Sequence, residues 1–70
     1  MLYKVTTRRN LNYTKFKLEM GMSVEVVSQK MSWNSQEWVN SVTNSFKDKY
    51  KENVPQEFMN NGYFDVVQLK

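Results

Sequence analysis

From Leu2 to Arg9 the chain alternates, with Tyr3, Val5 and Thr7 on one side and Lys4, Thr6 and Arg8 on the other. Period-two alternation built from valine, threonine and tyrosine predicts a half-buried strand. Asn10-Leu11-Asn12 reads as the turn that follows. Alternation then resumes, Phe16, Leu18 and Met20 facing one way and Lys15, Lys17 and Glu19 the other, and its parity runs on through Met22, Val24 and Val26. An unbroken strand from Phe16 to Val26 would extend about 36 Å, whereas a domain of this length is roughly 28 Å across. The chain must therefore turn, and Gly21 is the residue there without a Cβ penalty. The pattern predicts a second strand ending near Met20 and a third from Met22 to Ser28.

Gln29 to Asn34 is a polar connection that carries Met31 and Trp33. Beyond it Trp38, Val39, Val42, Phe46 and Tyr50 recur along one face of a 3.6-residue period, which predicts an amphipathic helix. Asn34 with Glu37 three residues on reads as a capping box. Lys47, Lys49 and Lys51 suit the negative pole of the helix dipole, and the helix must end before Pro55. Pro55 to Met59 reads as one further helical turn with Pro55 at its first position. Asn60-Asn61-Gly62 is a turn, followed by a last strand from Tyr63 to Leu69. The Asn-Gly pair leaves open a hairpin in which Phe58 and Met59 pair with Tyr63 and Phe64. Val67 and Leu69 have the opposite parity to Phe64 and Val66, so this strand is expected to bury both faces, against a second copy or between the helix and a loop.

The elements run β-β-β-α-β, an α+β class with a small antiparallel sheet and one amphipathic helix packed on one face. The 70 residues make one small domain, residues 1–70. Three stretches, Leu18 to Val27, Asn44 to Tyr50 and Asn61 to Val66, together resemble a family of short uncharacterised proteins from gut anaerobic bacteria, many on mobile elements. The shared features are a "K-L-x-x-G-M-x-V-E" stretch, a helix ending "F-x-x-K-Y" and an "N-x-G-Y" lead into a last strand. This chain departs after Tyr50, where that family tends to carry a glycine and Lys51-Glu52-Asn53 stands here, which leaves the exact helix end open. The resemblance implies a single intact domain in a bacterial cytosol and supplies no site.

Composition removes most chemistry. The chain has no cysteine and no histidine, so thiolate catalysis, Cys-ligated metals and the commonest general base are excluded. A small domain without disulfides reads as cytoplasmic. No apolar run exceeds the three residues Met1-Leu2-Tyr3, too few for a signal-peptide core or a membrane span. No glycine-rich phosphate loop or Asp-x-Asp-x-Asp-Gly cation loop occurs, so no cofactor, metal or small-molecule substrate is expected. Glu19 and Glu25 flank the Gly21 turn, but their solvent-facing parity beside Lys15 and Lys17 suits cross-strand charge pairing. The expectation is a protein that is not an enzyme.

The net charge is +3, concentrated toward the amino terminus. Up to Asn34 six positive charges meet two negative ones; from Ser35 onward four lysines meet five acids. Two surfaces compete for function. Met31, Trp33 and Phe58 sit in connections of a chain with a small core, and exposed aromatics with a sheet edge would bind a protein partner or a second copy. The alternative is a nucleic-acid-binding accessory protein in which Lys4, Arg8, Arg9, Lys15 and Lys17 contact phosphates and Tyr13 stacks on a base. The two separate by salt dependence, because phosphate contacts weaken steeply as salt rises.

Overall fold

A computed structural model describes all 70 residues. Strands β1 (Leu2–Thr7), β2 (Leu11–Asn12), β3 (Lys17–Leu18) and β4 (Ser23–Val27) precede helix α1 (Gln36–Tyr50); a 3-10 turn, Gln56–Phe58, leads to β5 (Phe64–Gln68). The main sheet is antiparallel in the order β4-β1-β5, while β2 and β3 form a separate short hairpin. The protein is an α+β fold, a three-stranded sheet with one helix laid along β4. Its longest dimension, 33 Å, is shorter than the unbroken strand would have been.

The inward parity of β1 and β4 is as expected: Tyr3, Val5, Thr7, Val24 and Val26 are buried. They meet Trp38, Val39, Val42 and Phe46 from α1, with Leu11, Phe16, Leu18, Val54, Met59 and Phe64 completing the core. Aromatic edges lock the layers together. Tyr3 meets Trp38 edge-on at 5.2 Å between ring centroids, and Phe46 meets Phe64 at 5.4 Å. Burying side chains of this size contributes about 1.5–3 kcal/mol each.

The second strand is shorter than its alternation predicts. Leu11, expected in a turn, is buried and pairs with Leu18, and the reversal lies instead at Tyr13–Phe16, closed by the Tyr13 N–H donating to the Phe16 carbonyl at 3.0 Å. Met20 breaks the parity: it is 65% exposed, at a corner of the Glu19–Met22 turn. Gly21 takes φ +93° in that turn, a conformation that favours glycine. Thr7 holds the turn from inside, its Oγ1 accepting from the Met22 N–H at 3.0 Å and donating to the Glu19 carbonyl.

Three smaller readings also shift, and the turn at Gly62 holds. Ser35, not Asn34, caps α1, its side chain accepting from the Trp38 N–H; Ser35 therefore sits three residues before the donor it satisfies, which leaves Glu37 outside a capping box. Pro55 precedes the 3-10 turn instead of opening it. Asn60-Asn61-Gly62 is a turn in which the Asn60 side chain accepts from the Gly62 N–H at 2.8 Å, and no Phe58–Phe64 hairpin forms. Finally, β5 buries one face only, because α1 and the aromatic loop before it cover the Phe64 side while Val67 (56%) and Leu69 (45%) stay exposed.

Candidate interaction surface

The two outer strands of the sheet differ in how their free edges are treated. In an antiparallel ladder each residue points its N–H and C=O toward one neighbour only. The Arg8 N–H donates to the Tyr63 carbonyl and the Leu69 N–H to the Leu2 carbonyl. Given the β1–β5 register, the odd-numbered residues of β5 bond to β1 and the even-numbered ones point outward. The Phe64 N–H is taken by the Asn60 carbonyl at 3.3 Å. The backbone N–H and C=O groups of Val66 and Gln68 have no such partner.

On β4 the outward residues are Ser23, Glu25 and Val27, by the same alternation. Here the end of α1 intervenes. The Tyr50 hydroxyl accepts from the Ser23 N–H and donates to the Ser23 carbonyl, each at 3.0 Å, and the Lys49 ammonium donates to that carbonyl at 2.8 Å. Glu25 puts a charge at the centre of that edge, a common guard against strand pairing. The β5 edge has neither a covering side chain nor a lysine or proline within Phe64–Gln68.

The sheet face away from α1 is graded from apolar to charged. Across the strands, Leu2 lies opposite Val27 and accepts from the Leu69 N–H, with Val67 opposite Lys4. Toward the other end, Asp65 receives the Arg8 guanidinium at 3.2 Å. Val27 is 78% exposed, so the apolar end is open to solvent. Val67 and Leu69 were legible from sequence as odd-parity residues. Val27 was missed, although the Val26-Val27 doublet must send one valine outward.

The expected anchors are half-buried instead of free. The Trp33 ring stacks on Phe64 and meets Trp38 edge-on, while its indole N–H donates to the Asn61 side chain at 2.7 Å. Met31 packs against the core as well. Phe58 sits among Tyr13, Phe16 and Tyr63, with ring centroids 4.9–5.1 Å away. A core this short on aliphatic volume recruits its loop aromatics as a rim.

The basic residues divide. Lys4 lies opposite Glu25 in the ladder and Arg8 is engaged by Asp65 and by the Asn61 carbonyl at 2.6 Å. Lys15 and Lys17 are exposed on the β2–β3 hairpin, whose Lys17 N–H donates to the Glu52 carboxylate. Arg9 lies over the Tyr63 ring, 5.4 Å from its centroid. The series Arg9, Tyr63, Phe58 and Tyr13 is thus continuous and joins a protein-contact candidate to two nucleic-acid candidates.

No three acidic side chains gather where they could hold a metal ion, and no helix is long and apolar enough to cross a membrane. No curated protein and no solved structure matches this chain. A family model does match, over residues 1–66, nearly the whole length of the fold just described. The chain belongs to that family, DUF6140, a family of unknown function.

Proposed function

We propose that this protein is a non-enzymatic interaction module that takes an extended segment of a protein partner along the free edge of β5. The observation that carries the reading is the contrast between the edges: on β4 Tyr50 and Lys49 close the backbone groups of Ser23 and Glu25 sets an unneutralised charge beside the open groups that follow, whereas on β5 the open groups of Val66 and Gln68 lie beside exposed Val67 and Leu69 and the one charge, Asp65, is paired with Arg8. Strand addition draws affinity from main-chain hydrogen bonds and specificity from flanking side chains. Trp33 contributes by stiffening the wall beneath Phe64, Met31 by packing on the core, and Phe58 by packing on the neighbouring hairpin. The bacterial cytoplasm of a gut anaerobe is the setting proposed, supported by the cysteine-free composition and the resemblance of the Gly21, Tyr50 and Gly62 segments.

A photo-crosslinking residue in place of Val67, compared with one in place of exposed Asn44 on α1, tests the reading in the cell that makes the protein. Protein adducts at Val67 and none at Asn44 are expected. Equal labelling at both positions, or none at Val67, overturns it.

A second reading rests on Arg9 over Tyr63 with Phe58 and Tyr13 beyond. Cation and stacked rings together suit an unpaired nucleic-acid strand, with Lys15 and Lys17 beside them; Lys4 and Arg8 have anionic neighbours of their own and contribute less. Binding of a mixed single-stranded oligonucleotide that fades with salt and with Arg9→Ala would favour it. Binding absent even at low salt removes it.

A further inference from the structure

We infer that the segment received along β5 is β5 of a second copy, paired antiparallel about a two-fold axis at Val67; this rests on the reading of β5 as the binding edge. A two-fold contact presents the same strand to itself, so the free groups must be self-complementary. They are. The outward groups of β5 lie on even-numbered residues, which restricts symmetric pairing to a few registers. Centring the axis on Asp65 sets two carboxylates directly opposite, which is destabilising. Centring it on Val66 pairs Phe64 with Gln68 of the second copy and calls on the Phe64 N–H, already given to Asn60.

The axis at Val67 has neither defect. Val66 then pairs with Gln68 of the second copy and Gln68 with its Val66, so every open N–H and C=O of those residues gains a partner. Val67 faces Val67 of the second copy in a pair without hydrogen bonds, where side chains approach closest, and each Leu69 lies diagonal to the opposite Val67. Both residues are among the exposed large apolar side chains of the chain. Charge agrees: within Phe64–Gln68 the sole ionised side chain is Asp65, matched by Arg8 at 3.2 Å. Two copies of a chain with net charge +3 therefore meet here without opposing lysines. The result is a continuous sheet in the order β4-β1-β5-β5-β1-β4. A contact made by one five-residue strand edge is expected to fall short of the roughly 1,200 Å² at which standard interfaces begin, so the dimer should form with a marked dependence on concentration.

Sedimentation equilibrium of the intact chain, up to millimolar concentration, tests this with two proline variants. Gln68→Pro removes an N–H that faces away from β1 and leaves the internal ladder whole, a position where edge strands tolerate proline. Glu25→Pro makes the matching change on the β4 edge. The parent chain and Glu25→Pro are expected to reach dimer mass at high concentration, and Gln68→Pro to stay monomeric with unchanged circular dichroism. Should Gln68→Pro unfold, Val67→Lys replaces it, setting two ammonium groups face to face and again expected to abolish the dimer. A parent chain that stays monomeric throughout overturns the inference, as does a dimer lost with Glu25→Pro and kept with Gln68→Pro. Val67 crosslinks to other proteins, alongside a strictly monomeric chain, would overturn self-pairing while leaving β5 as the binding edge.

Discussion

The Tyr50 hydroxyl closes both backbone groups of Ser23, accepting from its N–H and donating to its carbonyl at 3.0 Å each. One side chain from the last turn of α1 thereby fastens the helix to β4 and removes the start of that strand as a pairing site. Tyr50→Phe is expected to cost about 1 kcal/mol, the ordinary net worth of a hydrogen bond, with Lys49 still holding the carbonyl. Ser23→Ala should change stability far less, because the bonds are to its backbone. Urea denaturation of the two variants checks the order.

Thr7 is the buried polar residue of the core, 2% exposed. Its hydroxyl ties the Glu19 carbonyl and the Met22 N–H across the Gly21 turn. Thr7→Val preserves shape and β propensity but removes the hydroxyl's bonds, leaving the Met22 N–H and the Glu19 carbonyl only their own bond at 3.2 Å, at a cost of about 1 kcal/mol. Thr7→Ser keeps the hydroxyl and should be the milder change. Thermal melts compare them, and a large loss with Thr7→Ser beside a small one with Thr7→Val would place the contribution in the methyl group.

Lys51 ends α1 at φ 61°, the left-handed conformation that glycine adopts freely, with its N–H donating to the Lys47 carbonyl at 2.9 Å. A residue with a Cβ is strained there by about 1–2 kcal/mol, part of which glycine returns through greater freedom in the unfolded chain. Lys51→Gly is expected to raise stability by about 0.5–1 kcal/mol, read as a higher denaturation midpoint at unchanged slope.

Ser35 and Asn34 are adjacent cap formers, yet only the Ser35 side chain receives the Trp38 N–H. Ser35→Ala should therefore cost about 1 kcal/mol, and Asn34→Ala little. Far-ultraviolet circular dichroism during denaturation measures both, and the reverse order would move the cap to Asn34.

Periodicity alone determined the α+β class, the inward faces of β1 and β4, and the helix with Trp38, Val39, Val42 and Phe46 inside. Each of these is a local repeat of 2 or 3.6 residues that hydrophobic burial enforces wherever the element finally sits. Tertiary structure decided what local pattern does not encode. Leu11 left its expected turn because Leu18 offered a buried partner, and Met20 left the strand because the positive φ of Gly21 bends the chain outward at that corner. The candidate surface belongs to this second class. Which strands stand at the sheet edges follows from the order β4-β1-β5, and which edge has its first residue closed follows from where the end of α1 meets Ser23. Both depend on contacts between residues far apart in the chain. Alternation reported that Val67 and Leu69 share a face, and only the packing of α1 on the opposite face left that one in water.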